Sequence, residues 1–480
     1  MKNFKKKIAL LAALACAGTM LAGCTSSNGG TDGNSGGDTP AAGGDNAGGN
    51  AGGDNAGGGT AEGMTYDEAK TAGTGNVDTT NEGKVLNIYC WNDEFKGFFD
   101  SYYTVPDGIT VNWITTPSEG GAYQTALDQA LMNNESAAAD DKVDMFLAEA
   151  DYIIKYANAD VTMDVTKIGV QNWGKGYDYT YNAATSTSGV LKGVSFQGCP
   201  SAVIYRRSIA KDVLGTDDPA EVQEALSTWD KVDEVAAKAK EKGYTMFASA
   251  QETYRAFANN ATESYLNGDK FALTSAFNDW LAQQEKYVAN GWSVTNKLWS
   301  DEKNAQMGTN GTNMCFMGPA WYYTFSMGTA LEETPGDWAI CVGPAEHFWG
   351  GTWLLAAAGT DNEKTVADIM NAFTVNEDIC EKLLVNDMQF PNNKAVVEKY
   401  AADASYQNDF LGGQNDIAIL AEVAKGITWN PALHTQYDQT FNEVLPDSFL
   451  EYLQGTVDKD TALNNFYIQL SEVAPQITHD

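Results

Sequence analysis

VLNIYCWNDEF at residues 85–95 and GITVNWITTP at residues 108–117 are the stretches on which the fold turns. The first is a short apolar run, Val85 to Cys90, that gives way to polar residues just past Trp91. In the second, Ile109, Val111 and Trp113 alternate with Thr110 and Asn112, the period of a strand with one face buried. Helical spacing appears between and after such runs: Tyr123, Ala126, Leu127, Ala130 and Leu131 share one helical face, as do Val232, Val235, Ala236 and Ala239. The second of these helices carries its own punctuation, with Ser227 or Thr228 as N-cap, Asp230 in the first turn and Gly243 past the end. Further strands are predicted at Val143 to Ala148, Ala202 to Tyr205, Tyr244 to Ala248, Asn313 to Met317 and Trp338 to Val342. Strands interspersed with helices in this way define an α/β architecture.

Working outward toward the N-terminus, Lys2, Lys5, Lys6 and Lys7 precede an apolar run from Ile8 to Ala17, the layout of a secretory signal. The run is shorter than the roughly 20 apolar residues that cross a bilayer core. It leads into Leu21-Ala22-Gly23-Cys24, which resembles the bacterial lipobox, so residues 1–23 read as a lipoprotein signal and Cys24 as the lipidated N-terminus of the mature chain. From Thr25 the chain is nearly all Gly, Asp, Asn, Ala, Ser and Thr, with AGGDNAGGN followed at once by AGGDNAGGG. Such a composition cannot bury a core. The segment from residue 24 to residue 80 therefore reads as a lipid-anchored, disordered spacer that holds the rest at the outer face of the cell membrane.

The formal charge of −34 makes nucleic acid a poor partner, because phosphate binding needs clustered Lys and Arg. Cys90, Cys199, Cys315, Cys341 and Cys380 lie beyond the anchor, and most sit in apolar strand-like runs, so they read as buried free thiols. With His347, His434 and His479 scattered and no CxxC among the cysteines, a Cys/His zinc site is not expected, and no cofactor is implied. Roughly 400 residues after the spacer exceed what one core usually organises, so two lobes are expected.

The order of segments resembles the extracellular solute-binding proteins of ABC importers, specifically the carbohydrate-binding group (family 1) with its maltose- and maltodextrin-binding members. The resemblance is carried by VLNIYCWNDEF, GITVNWITTP, VDMFLAEADYIIKYANADVTMDVT, GVLKGVSFQGCPSAVIYRRSIAKDVLG, STWDKVDEVAAKAKEKG, MFASAQETY and NMCFMGPAWYY, in that order. It implies a two-lobed type II periplasmic-binding-protein-like fold with a cleft between the lobes. Lobe 1 would take residues 84–197 and 344–390, and lobe 2 residues 198–343 and 391–480, joined by crossing segments near 195–201, 341–346 and 388–394. Carried over residue by residue, it nominates Asp93 and Asp151 as hydroxyl acceptors on lobe 1. On lobe 2 it nominates Glu252 and Tyr254, with Trp321 or Tyr322 and Trp429 as stacking platforms. Thr253 stands where the maltose-binding segment has proline, and Ala320 separates Pro319 from Trp321.

Those residue types suit a sugar, which offers hydroxyls at its rim and C–H patches on its faces. Ionised carboxylates make strong charge-assisted hydrogen bonds, and Trp and Tyr supply broad rigid faces. Trp91, Asn92, Asp93, Glu149 and Asp151 fall at strand ends, where ligands of open α/β sheets bind. Trp349 in HFWGGTW and Trp429 in GITWNP lie in loops, and Gln197 lies in the first crossing segment. Core packing is the competing reading for each aromatic, and helix capping for each acid; Trp113, Trp229, Trp280 and Trp292 read as structural, and Arg206 and Arg207 as a solvated surface pair. The resemblance implies a monomer that captures an oligosaccharide, a maltooligosaccharide first, and delivers it to a permease without enzymatic activity. Two rivals stand: a binding protein for another oligosaccharide or a polyamine, since WNDEF is acidic, and an extracellular glycoside hydrolase, which needs two carboxylates about 5–10 Å apart.

Overall fold

The computed structural model describes Met64–His479, and the signal, Cys24 and the glycine-rich repeats lie outside the described residues. Twelve strands occur in that span: β1 Val85–Cys90, β2 Thr110–Thr115, β3 Met145–Glu149, β4 Gly193–Ser195, β5 Pro200–Arg206, β6 Thr245–Phe247, β7 Leu266–Asn267, β8 Lys270–Phe271, β9 Asn313–Gly318, β10 Trp338–Cys341, β11 His347–Phe348 and β12 Thr352–Ala356. Every strand predicted from the sequence is present. Trp229–Glu241 is helical as its periodicity requires, with the Thr228 side chain accepting from the Lys231 amide as N-cap. Among the described residues no helix is long and apolar enough to cross a membrane.

The strands form two five-stranded sheets and a small hairpin, β7 with β8. The first sheet runs β2-β1-β3-β12-β4, with β1 parallel to β2 and β3. β12 lies antiparallel between β3 and β4, so that Trp353 faces Ala148 on one side and Ser195 on the other. The second sheet runs β10-β5-β9-β6, with β11 added alongside the start of β5. We call the halves built on these sheets the first and second lobes. Phe95, Phe99, Phe196 and Phe373 fill the first, the Phe95 and Phe373 rings 4.8 Å apart. Behind the second sheet lies a further layer in which Tyr254, Trp280, Phe441 and Phe449 pack between C-terminal helices. Trp280 is fully buried there, and its truncation to alanine would cost about 3–5 kcal/mol.

Three strands of chain pass between the sheets, and the structure moves one of them. The first passage is residues 196–199, between β4 and β5. Residues 389–392 run beside it, with Gly198 donating to the Phe390 carbonyl and Asn392 to the Phe196 carbonyl. The remaining passage was expected at 341–346, but β11 still pairs with Pro200 and Ser201, and the change of sheet comes at Trp349-Gly350-Gly351. The two glycines adopt φ of +69° and +110°, values that side chains disfavour. Cys199 and Met388, in or next to the other passages, are among the few non-glycine residues with positive φ, at +51° and +53°.

Two other expectations are corrected. The spacer was expected to stay disordered to residue 80, yet Tyr66–Ala69 is a helix closed by a Thr65–Glu68 capping box. Ala69 and Ala72 are buried, and the Asn376 side chain donates to the Ala72 carbonyl. Met64 and Ala72 pack against the core of the first lobe. Arg206 and Arg207 are not a solvated pair: Arg206 is 5% exposed, bonded to Asp337 and to the Gly308 and Gly311 carbonyls, while Arg207 donates to the Trp338 and Leu411 carbonyls. Both guanidiniums satisfy backbone oxygens inside the second lobe, which a long cationic stem allows. The five cysteines named above are buried free thiols.

Candidate ligand-binding site

β3 ends at Glu149, and its backbone there turns sharply enough for the Glu149 carboxylate to accept from the Asp151 amide at 2.7 Å. Asp151 is thereby aimed out of the first lobe, toward the short helix Tyr254–Ala258 of the second. Arg255 on that helix grips it with both terminal nitrogens, each 2.6 Å from a carboxylate oxygen, and the Asn442 amide adds a bond of 2.8 Å. Paired guanidinium–carboxylate bonds of this kind are among the strongest polar contacts in proteins. A second bond between the lobes joins the Gln124 and Gln439 side chains at 2.6 Å. Burial and the neighbouring Asp151 push the Glu149 carboxyl well above its ordinary value, with Arg255 opposing them.

Aromatic rings form the opposite wall. Gly318 and Pro319 turn the chain from β9 into the helix Ala320–Phe325. A methyl group at Gly318 would lie 2.5 Å from the Tyr322 ring, so only glycine permits that tight start. Trp321 then points to the passage at Trp349-Gly350, its indole nitrogen donating to the Trp349 carbonyl at 3.2 Å. The two indoles meet edge to face with centroids 5.2 Å apart, and Trp299 lies 5.5 Å from Trp349. Arg255 sits 6.0 Å from the Trp349 ring. At Gly350 the lobes converge: the position of its absent Cβ is 3.4 Å from Trp321 and 3.5 Å from a Glu149 oxygen.

Other nominated residues have different surroundings. Trp91 is half-buried, edge-on to Tyr123 and to Tyr152, which follows Asp151. The Asn92 side chain accepts from the Glu94 amide, and Asp93 is exposed and accepts from the Thr115 hydroxyl at 3.3 Å. Gln197 is buried at the crossing, donating to Gln389 at 2.9 Å and to Glu94 at 3.4 Å. Burial pushes the Glu94 carboxyl up to about 7, with the Gln197 bond opposing. Trp429 stacks on His434 at 3.6 Å and is 5.8 Å from Phe348.

Glu252, Tyr254 and Tyr322, read from the sequence as a carboxylate and two platforms, lie in the interior of the second lobe. Tyr254 packs edge-on to Trp280 and its hydroxyl donates to the Phe441 carbonyl at 2.6 Å. Glu252 accepts from the Met317 amide and the Tyr322 hydroxyl, with the Lys303 ammonium 3.8 Å away and both charged side chains fully buried. Burial raises the Glu252 carboxyl and lowers the Lys303 ammonium, each opposed by the other's charge. Sequence reading passed over Arg255, Asn442, Trp299 and Phe325. Arg255 had a usable signal, as a lone cation directly after the QETY stretch of an acidic chain.

The chain belongs to the bacterial extracellular solute-binding proteins, whose family model matches residues 99–411. No curated protein matches it in sequence. Solved structures of similar fold include an extracellular solute-binding protein of family 1, 20% identical with a TM-score of 0.67 over 81% of this chain and 99% of that one. Another is the ABC transporter associated binding protein from B. animalis subsp. lactis Bl-04 in complex with beta-1,6-galactobiose, 16% identical, TM-score 0.63, covering 83% and 100%. A third is the sugar-binding protein MalE from the phytopathogen Xanthomonas citri, 13% identical, TM-score 0.60, covering 82% and 98%. The two-lobed α/β fold expected from the sequence is thus the fold of this chain.

Proposed function

We propose that this protein captures an oligosaccharide between its lobes and hands it to the permease of an ABC importer. The observation that carries the reading is the meeting of Glu149 and Trp321 at Gly350, an acceptor from one lobe and a flat apolar face from the other. A ligand shifts a two-state equilibrium only by its difference in affinity for the two states, so a site that needs both lobes couples binding to closure. Asp151 and Arg255 would hold the closed form beside it. The likeness to proteins solved with galactobiose, or described as sugar-binding, supports the ligand class.

The expectation of a maltooligosaccharide rests on the QETY and GPAW segments, and in the first of these Glu252 and Tyr254 have interior side chains, so the proposal keeps the oligosaccharide class and leaves the linkage to experiment. A calorimetric panel of malto-, xylo-, manno-, fructo- and galacto-oligosaccharides is expected to give at least one ligand that binds with hinge closure. Silence across the panel would overturn the reading. Lobe boundaries follow the passages near 196–199, 349–351 and 388–392 in this proposal, and the protein acts as a monomer.

A cationic solute is the second reading, favoured by the carboxylates of Glu149 and Asp151 lying together, with Arg255 and the Asn442 amide bonded to Asp151. Spermidine binding without response to any sugar would select it. Turnover of an oligosaccharide by the pure protein, read by chromatography, would instead make it a hydrolase. Lipidation of Cys24, which anchors the domain at the outer face of the membrane, is tested by palmitate labelling: the parent is expected to take label, and Cys24→Ser to lose it.

A further inference from the structure

The rings at the candidate site do not stop at the seam. Trp349 is 6% exposed and Trp321 half-buried, but Trp299 is 56% and Phe325 66% exposed. These four form one continuous surface. Trp299 is nearly parallel to Trp321, at 26° and 6.4 Å, and Phe325 stands edge-on to both at 6.0 and 6.2 Å.

The loop that carries Trp299 is held firmly. The buried Ser249 hydroxyl donates to the Asn296 carbonyl at 2.7 Å, and the Leu298 amide donates to the buried Gln251 side chain at 3.0 Å. Gln454 adds a bond of 2.9 Å to the Thr295 carbonyl. Past the ring, Ser300 caps the helix Asp301–Ala305, whose Lys303 ammonium sits 5.8 Å from the Trp299 ring. Exposing a large ring on a fixed loop costs hydration free energy without a packing return, so an occupant is called for.

Size separates the candidates for that occupant. A Trp and a Phe side chain present on the order of 150–250 Å² each, so the exposed parts of Trp299 and Phe325 together amount to roughly 250 Å². A stable protein contact needs about 800 Å² per partner. One or two sugar rings fit the smaller area, and the patch is continuous with Trp321, where the first ring would stack.

We propose that Trp299 and Phe325 form an outer subsite that stacks on the sugar units of an oligosaccharide protruding beyond the closed lobes, so that the preferred ligand is longer than a disaccharide. This rests on the oligosaccharide reading above and deepens it. The lobes then enclose one end of the chain, and the outer rings select for length.

The test is a calorimetric series from disaccharide to hexasaccharide of the best ligand in the panel, on the parent, Trp299→Ala, Phe325→Ala and the double variant, with Trp299→Phe as the conservative control. Parent affinity is expected to rise about tenfold or more with length. The double variant is expected to lose that gain with length, and Trp299→Phe to keep most of it. A parent whose affinity is flat with length, or a double variant that binds the longest chain as the parent does, overturns the subsite while leaving the oligosaccharide reading intact. Failure of every length to bind the parent overturns both. Self-association of the parent in light scattering, abolished in the double variant with sugar affinity unchanged, overturns the subsite in favour of a contact between copies.

Discussion

Two buried carboxylate–cation pairs, one between the lobes and one inside the second, behave as opposites. Asp151 and Arg255 meet through two bonds of 2.6 Å contributed from different lobes. Glu252 and Lys303 stand 3.8 Å apart within one lobe, and Glu252 also takes bonds from Met317 and Tyr322. Parting the lobes would separate the first pair and let water reach both groups. The second pair can be parted only by unfolding. Desolvating a pair costs free energy in either place, but only at the seam can that cost be coupled to motion.

The largest effect is expected from Lys303→Met, which leaves Glu252 charged and uncompensated in the interior and should cost about 3–5 kcal/mol in chemical denaturation. Adding Glu252→Gln should recover most of it. A Lys303→Met variant no less stable than Arg255→Met would erase the distinction between the pairs. Next comes Trp321→Ala, expected to weaken saccharide binding by about 2 kcal/mol or more, as loss of a stacked hot-spot aromatic can. Trp429→Ala should do less, because that ring already stacks on His434. Equal calorimetric losses would show that the wall extends to Trp429.

Arg255→Met is expected to cost about 1–2 kcal/mol, since opening the seam lets water satisfy Asp151, and to enlarge the particle in small-angle scattering. Unchanged dimensions would show that the bridge does not hold the lobes together. The smallest effect concerns pH. The Glu149 carboxyl is raised in the folded protein by burial and by Asp151. Its favourable contribution is therefore complete below the ordinary carboxylate range and is lost as pH rises through the raised value. As pH rises above the ordinary carboxylate range and through the raised value, the melting temperature of the parent should fall relative to Glu149→Gln. Parallel profiles would show that Glu149 titrates normally.

Much of the frame was legible because β1 and β9 are apolar runs, β2 alternates apolar with polar residues, and Thr228 announces its helix. β12 was not, although it lies inside the first sheet between β3 and β4: TWLLA follows two glycines and a strand buried on both faces loses the alternation that marks a half-buried one. The passage at Trp349-Gly350-Gly351 was missed for the same reason, as positive φ at glycine leaves no pattern in the neighbouring side chains. Among the candidate residues, Glu149, Asp151 and Trp349 are nominated by strand-end and loop positions and Trp321 by the family resemblance, and the structure gathers them around Gly350 and Arg255. Tyr254 and Tyr322 were misjudged because an aromatic in a loop-like stretch reads alike whether it faces a cleft or the next helix. Arg255 owes its role to a carboxylate 104 positions away, which no local pattern encodes.

The central claim, that Glu149 and Trp321 are two sides of one ligand surface, is tested most directly by a calorimetric double-mutant cycle with Glu149→Gln and Trp321→Ala on the best saccharide of the panel. The two losses in affinity are expected to be non-additive by about 0.5 kcal/mol or more, as for groups sharing one partner. Affinity untouched by either substitution would contradict the account.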